Sequence, residues 1–140
     1  MISISSTDIY DKVLELASFE AGRSVVGDDL YHTLLVTTRD KPFISTFSAQ
    51  AQSSIGTNLH FCLEDCYTQG DQYCFDFRSN CSLAERKNTK RLLTEAMTLS
   101  VMSQWLANKL PERAQAYASM YTDLMSVLIK SVKKNNPLFY

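Results

Sequence analysis

The chain has 140 residues, with 14 Lys and Arg against 15 Asp and Glu, a net charge of −1 and 45% hydrophobic residues. This balance excludes a disordered chain, and the near-zero charge excludes a bulk attraction to nucleic acid or to a membrane surface. The sequence contains no run of roughly 18 apolar residues, so we expect no segment to span a bilayer. The length predicts one domain over residues 1–140.

The first residues and the glycine content exclude two further classes. Residues 1–6 lack the basic start and apolar stretch of a signal peptide, so we expect a protein that is not exported. The four glycines are scattered along the chain at Gly22, Gly27, Gly56 and Gly70. Phosphate-binding loops need clustered glycines because the backbone must approach the phosphate closely, and the sequence has no such cluster. Few Gly and Pro residues favour long helices.

The first predicted helix runs from about Thr7 to about Ala21. Side-chain oxygens in the preceding cluster, residues 5–8, can accept hydrogen bonds from the free N–H groups of its first turn. The residues that fall on its apolar face at helical spacing are Ile9, Val13, Leu16 and Glu20. Gly22 and Gly27 are expected to end it.

Two more helices are predicted before the middle of the chain. The first is short; its capping residues and apolar positions are Asp28, Asp29, Leu30, Tyr31, Leu34 and Leu35. The second runs from about Arg39 to about Cys62, with Thr38 as its N-cap. Its apolar stripe repeats every four residues and consists of Phe43, Phe47, Ala51, Ile55 and Leu59. Gly56 within this helix indicates a close contact with another helix.

After about Cys62, the spacing of the apolar residues changes from that of a helix to that of a strand. Tyr73, Phe75 and Phe77 alternate with polar or smaller residues, and residues 69–71 have the composition of a turn. The partner strand is expected near residues 63–67, which gives a hairpin over about residues 63–78. Because an isolated hairpin is marginal in water, this one must pack on the helices or on a partner.

Two long helices complete the predicted fold. The first runs from about Leu83 to about Leu110, and the second begins with Pro111 at its first position and ends near Asn135. The very short turn between them predicts an antiparallel pair, with Trp105 buried between the two helices. The sequence thus predicts a mainly α domain of four or five helices, with a long antiparallel C-terminal helix pair and one small β-hairpin.

No residue cluster has the spacing of a catalytic or metal site. Four cysteines and one histidine lie close in sequence: His60, Cys62, Cys66, Cys74 and Cys81. Zinc sites usually use ligands paired two to four residues apart, so we favour reduced, mostly packed thiols over a zinc site. His32 and His60 lie in no recognisable motif, and we predict no catalytic residue, no metal ligand and no cofactor.

Basic and aromatic residues provide the candidates for an interaction surface. Arg86, Lys87, Lys90 and Arg91 lie on one helix face; this face could contact phosphate, but a solvated face with Glu85 and Glu95 nearby is favoured. The same interpretation holds for the lysines at 130, 133 and 134. The aromatic strand could stack nucleic-acid bases or pair with a neighbouring copy, but its aromatics are expected to face the helices.

A few sequence segments, taken in order, resemble a known layout. Residues 5–11 open a first helix and residues 37–40 a second one. An aromatic strand and Ser79-Asn80 precede a long helix that ends in residues 104–106. Residues 111–117 open the last helix, which closes near residues 136–137. Over nearly the whole chain, this order resembles the head–tail adaptor, connector or neck proteins of tailed bacteriophages. One departure is that lysines, not arginines, precede the final proline.

The resemblance implies a ring-forming, non-enzymatic virion protein, made in the host cytoplasm, that binds copies of itself, portal proteins and tail proteins. No membrane partner is expected. The candidate interaction residues are Tyr73, Phe75, Phe77, Arg86, Lys87, Lys90, Leu138, Phe139 and Tyr140. Of these, the hairpin and residues 138–140 are expected to be exposed and apolar, and the basic residues could face the portal or the DNA channel. The competing hypotheses are a cytosolic helical interaction module without a virion role and a small enzyme with a Cys or His nucleophile.

Overall fold

The described part of the chain, residues 1–23, 32–83 and 85–136 of this computed structural model, is mainly helical with one small sheet. Its long helices are α1 (Ser6–Arg23), α2 (Lys41–Asn58), α3 (Arg86–Leu106) and α4 (Pro111–Asn135). Its strands are β1 (Ile2–Ser5), β2 (Leu63–Gln69) and β3 (Gln72–Phe77). Helices α3 and α4 pack against each other. The predicted fold class is confirmed.

The sheet has three antiparallel strands in the order β1-β3-β2, and the first of them was not predicted. Ile4 of β1 and Thr68 of β2 both lie opposite Tyr73, so β3 is the central strand. The alternation of buried and half-buried residues in β1 extends over only four positions, which is too short to be distinctive in the sequence. Pairing with β3, some seventy positions further along the chain, makes it a strand.

The predicted hairpin is present, with a two-residue turn between β2 and β3. Gly70 has a φ of +61°, a conformation that side chains rarely adopt, and it is the first central residue of this turn. The side chains of Ile2, Ile4, Tyr73 and Phe75 are buried in the core, as expected if the aromatic residues face the helices. The opposite, outer face of the sheet carries more polar residues.

Gln52 of α2 fixes the hairpin to the helical layer. This side chain is almost fully buried, and its Nε2 donates to the carbonyl oxygens of Tyr67 at 2.8 Å and Cys74 at 3.3 Å. Its Oε1 accepts a hydrogen bond from the hydroxyl of Thr68 at 3.1 Å. One polar side chain therefore satisfies backbone groups of both strands, which sets the position of the sheet on α2.

Helix α2 differs from its prediction at both ends and in its buried face. It spans Lys41–Asn58, not 39–62, and a 3-10 turn over Thr38–Asp40 precedes it. Thr38 is not the N-cap of α2: Asp40 is, and Thr37 caps the 3-10 turn, where its backbone N–H and hydroxyl donate to the Asp40 carboxylate at 2.8 and 3.0 Å. Phe43 of the predicted stripe is 60% exposed. A four-residue spacing advances by about 40° per step around a helix, so a stripe from Phe43 to Leu59 drifts by about 160°.

Gly56 makes a close contact with the sheet and not, as predicted, with another helix. A Cβ at this position would lie 3.2 Å from Sγ of Cys66 on β2. Gly22 of α1, in contrast, has nothing within 4 Å of the corresponding position. The two glycines therefore form a matched pair for substitution.

We expect Gly22→Ala to raise the free energy of unfolding by about 0.5–1 kcal/mol, because alanine is favoured over glycine in a helix. Gly56→Ala should not raise the free energy of unfolding, because the cost of displacing the Cys66 side chain offsets the preference of a helix for alanine over glycine. Urea denaturation of both variants tests this. An equal gain at the two positions would contradict the close approach of α2 to β2.

The C-terminal helices begin and end close to their predicted positions. Helix α3 begins at Arg86 and ends at Leu106, within four residues of the predicted limits, and Pro111 is the first residue of α4, as predicted. The short helix predicted around Asp28 and Asp29 lies mostly outside the described residues. Only its last part is described, and residues 32–34 are helical there.

Candidate functional site

A groove of about 960 Å³ lies between α1, α3 and α4. Helix α3 forms its floor, and α1 and α4 form its two walls. Phe19, 57% exposed, and Met120, 42% exposed, lie on opposite walls, and Leu16 and Leu99 add apolar surface. We call this surface the helical groove. Exposed apolar side chains gathered in a concave surface are typical of a protein-binding site.

A buried ion pair joins the two walls at one end of the helical groove. Glu20 of α1 is 2% exposed, and its carboxylate accepts hydrogen bonds from Nε and Nη2 of Arg113 at 2.9 to 3.2 Å. The hydroxyl of Tyr117 donates to the same carboxylate at 2.9 Å. Burial alone would raise the pKa of Glu20, but the hydrogen bonds from Arg113 and Tyr117 outweigh it and lower that pKa. The Glu20 carboxylate therefore stays charged and fixes α1 to α4.

A second depression, with one largely exposed aromatic side chain and a mixed polar and apolar lining, lies on other elements. Phe43 projects from the first turn of α2, next to Leu35 and Phe47, and lines a smaller depression of about 390 Å³. This depression is closed by Trp105 and Lys109 at the end of α3. We call it the Phe43 patch; it shares no residue with the helical groove.

Acidic residues gather on the neighbouring strands β2 and β3. Asp65 of β2 lies directly opposite Asp76 of β3, and Glu64 precedes Asp65 at a bulge in β2. Like charges in such a cross-strand pair repel each other. Burial and the nearby Cys74, Asp76 and Asp65 raise the pKa of Tyr67, which lies on the same outer face. We call Glu64, Asp65 and Asp76 the acidic flank.

The predicted basic residues gather at the β1 side of the sheet. Arg86, Lys87 and Lys90 are exposed in the first turns of α3, as the sequence predicted for a solvated helix face. The guanidinium of Arg86 donates to the carbonyl oxygen of Met1 at 2.6 Å, which places the start of α3 beside β1. Arg91 forms an exposed pair with Glu95 at 3.4 Å. We call Arg86, Lys87 and Lys90 the basic flank.

The hairpin aromatics do not form the exposed surface that the sequence suggested. Tyr73 is 6% exposed and Phe75 is fully buried, and Phe77 is half-buried against the core. Because β1 and β2 pair with both edges of β3, this strand also has no edge left for a neighbouring copy. The interpretation that these aromatics face the helices is confirmed, whereas the exposed hairpin that the resemblance implied is not found. The free edge was a wrong expectation because the sequence did not reveal β1. The predicted residues Leu138, Phe139 and Tyr140 lie outside the described residues.

The cysteines are free thiols packed around the hairpin. Cys62 and Cys74 are buried, as predicted, and Cys66 and Cys81 are half-buried. Burial raises the pKa of Cys62 to about 12 and that of Cys66 to about 11, so both thiols are protonated at neutral pH. Among the residues that the structure describes, no three His, Cys, Asp or Glu side chains gather in a way that could hold a metal ion.

Sequence reasoning found the basic flank but missed the helical groove and the acidic flank. Both depend on residues that are far apart in sequence: the groove joins α1 to α4, and the flank joins Asp65 to Asp76 through the register of the hairpin. The one local signal was Glu20, a charged residue at an apolar position of the first predicted helix.

No helix in the described ranges is both long and apolar enough to cross a bilayer. Comparisons of the chain with models of known protein families, with curated proteins and with solved structures find no match.

Proposed function

We propose that this protein is a structural subunit of a tailed-phage virion, a ring-forming adaptor at the junction between head and tail. The observation that carries the proposal is the presence of two separate depressions with exposed apolar side chains, the helical groove and the Phe43 patch, on different elements of one small domain. A ring needs heterologous contacts, in which each copy presents two different surfaces. An adaptor must in addition contact the portal and the tail. The order of the elements supports the same role.

Light scattering coupled to size-exclusion chromatography tests this proposal. The probe is the 15.9 kDa chain, alone and mixed with a portal protein from the genome that encodes it. We expect the chain to assemble on the portal into one species whose mass is a fixed multiple of the subunit. Alone, it can be monomeric, because such rings form on their neighbours.

The matched variants are Phe19→Ser and Met120→Ser on the groove, with Ser18→Ala and Thr122→Ala as controls on the same two helices. The groove variants should lose the portal-bound species while retaining the melting temperature of the parent. A chain that stays monomeric in the presence of the portal contradicts the adaptor role. That result favours the alternative, a helical interaction module without a virion role.

A further inference from the structure

Strand β2 has a free edge. The strand order β1-β3-β2 leaves β2 paired with β3 on one side, and no described strand lies along its other side. The pair that flanks a two-residue hairpin turn exchanges backbone hydrogen bonds, and such pairs alternate along the strands with pairs that do not. In the observed register, Gln69 and Tyr67 therefore bond to β3, whereas the backbone groups of Cys66 and Thr68 point away from it. This edge is a template for a further strand.

A depression of about 510 Å³ lies beside this edge, between α2 and the first half of β2. Ser53 and Gly56 of α2 leave space on one side of it, and Leu63 and Cys66 of β2 form the other. The side chains of Cys66 and Thr68 point toward α2, so every second side chain of an added strand does the same. The depression provides room for such a side chain. It shares no residue with the helical groove or with the Phe43 patch.

The edge is acidic at the same place. Glu64 and Asp65 are exposed and line the depression, and neither takes part in a salt bridge with another described residue. The nearest Lys or Arg along the chain is Arg78, which follows β3. Strand β2 itself contains two acidic residues and no basic one. A segment that brings basic residues to this edge therefore gains an attraction that a neutral or acidic segment lacks.

In the isolated chain, the Asp65 side chain protects the edge. Its carboxylate accepts a hydrogen bond from the backbone N–H of Cys66 at 2.8 Å, and this N–H is one of the groups that an added strand needs. The bulge between Leu63 and Asp65 also interrupts the regular edge. A cation on an incoming segment attracts the Asp65 carboxylate, which frees the N–H for pairing. One residue thus couples charge recognition to strand addition.

We propose that the free edge of β2 binds an extended, basic segment of a partner protein as an additional strand of the sheet. The backbone of this segment bonds to Cys66 and Thr68, and its basic side chains meet Glu64 and Asp65. A second copy of this chain fits less well, because β2 brings no cation to its own acidic residues. Nucleic acid is repelled by the same carboxylates. The inference goes beyond the adaptor role and does not depend on it.

Fluorescence anisotropy with a labelled synthetic peptide tests the charge of the occupant. The probe is a peptide of about eight residues in which Lys alternates with Val, and its counterpart has Glu in place of each Lys. We expect the Lys peptide to bind at least about tenfold more tightly than the Glu peptide. Its affinity should fall as salt is added, because exposed charges are screened.

Two double variants with the same change in net charge locate the attraction. Glu64→Gln with Asp65→Asn should weaken binding of the Lys peptide at least about tenfold. Glu112→Gln with Asp123→Asn removes the same charge from exposed sites of α4 and should leave the affinity unchanged. Equal effects of the two double variants would mean that only the net charge of the chain attracts the peptide, which contradicts the proposal.

Thr68→Pro tests the backbone contact, because proline lacks the N–H and is tolerated where the N–H of an edge strand faces solvent. This variant also loses the hydroxyl that bonds to Gln52, so Thr68→Val, which loses the hydroxyl alone, is its matched control. We expect the proline variant to bind the Lys peptide at least about tenfold more weakly than the valine variant. Thermal melting should show that both variants fold.

N-methylated peptides make the same test on the unmodified protein. Only one edge of an added strand faces β2, so the backbone N–H groups that bond to β2 belong to alternate residues. Of two Lys peptides methylated at alternate backbone nitrogens, one in each phase, one should lose binding and the other should keep it. Hydrogen exchange followed by NMR then locates the contact: the amides of Cys66 and Thr68 should become protected when the Lys peptide is added.

The proposal is overturned if the Lys peptide binds no more tightly than the Glu peptide, or if both methylated peptides bind like the unmethylated one. Protection at other amides overturns it as well. If the amides of Cys66 and Thr68 become protected as the protein concentration rises without peptide, the occupant is a second copy and the proposal is also wrong. The adaptor role is tested on the helical groove, which shares no residue with this edge, so either proposal can fail while the other stands.

Discussion

Replacing Arg113 with alanine is expected to lower the free energy of unfolding by about 1.5–3 kcal/mol at pH 7, because the buried Glu20 carboxylate loses its hydrogen bonds from a guanidinium that is itself 36% exposed. Glu20 lies on α1 and Arg113 lies on α4, so the loss of their ion pair also loosens one end of the helical groove. Urea denaturation measures the effect. Arg91→Ala, which breaks an exposed pair with Glu95, should cost less than about 0.5 kcal/mol.

The effect of Arg113→Ala should depend on pH in a defined direction. In the parent, the pKa of Glu20 is lowered from its usual 4.5, so the carboxylate contributes stability above pH 4.5 that is lost as the pH falls through the lowered value. Without Arg113, burial is opposed only by weaker interactions, and the pKa of Glu20 rises. The difference in the free energy of unfolding between the parent and the variant therefore becomes smaller as the pH falls. A difference between the two proteins that is the same at pH 7 and pH 4 would contradict this account.

Replacing Trp105 with alanine is expected to cost about 3–5 kcal/mol, the range for removing a large buried aromatic side chain. Trp105 is 5% exposed, and its indole N–H donates to the carbonyl oxygen of Leu34 at 2.9 Å. The ammonium of Lys109 lies 3.9 Å from the centre of the ring, which adds a cation–π contact. The burial of Trp105 is confirmed, but its hydrogen bond connects α3 to the segment before α2, a contact that the prediction of a position between the last two helices did not include.

Trp105→Phe separates the packing of the ring from the hydrogen bond. It retains most of the apolar surface but leaves the Leu34 carbonyl oxygen unpaired, so its expected cost is about 1–2 kcal/mol. Thermal melting followed by circular dichroism measures both variants. A melting temperature of Trp105→Ala within a degree of the parent would contradict the placement of this side chain in the core.

Local signals predicted the elements whose limits depend on nearby residues. The hydroxyl of Ser5 accepts a hydrogen bond from the N–H of Thr7, consistent with the cap cluster that predicted α1. Pro111 opens α4, because its missing N–H costs nothing at the first helical position. Gly70 provides the positive φ of the hairpin turn. Each of these features is decided within a few residues of chain.

Features that depend on distant residues were missed or misplaced. Strand β1 exists through its pairing with β3, and without it the aromatic strand was expected to present a free edge. Phe43 was placed in the core by a spacing that drifts around the helix, and the contact of α2 with the sheet leaves it exposed. Asp40 took the capping role expected of Thr38, and its side chain reaches back to the Thr37 backbone.

The sequence by itself determined that this chain is a mainly helical domain with one hairpin, and it located the basic residues on one helix face. Periodicity, caps, prolines and glycines act over one or two turns, so they can be recognised without knowing the partner element. Only the tertiary structure decided that α1 and α4 enclose a groove over α3, that Glu20 lies buried beside Arg113, and that Asp65 lies opposite Asp76 across the hairpin. These features join residues far apart in the chain, and their positions follow from packing and strand register, which no local pattern encodes.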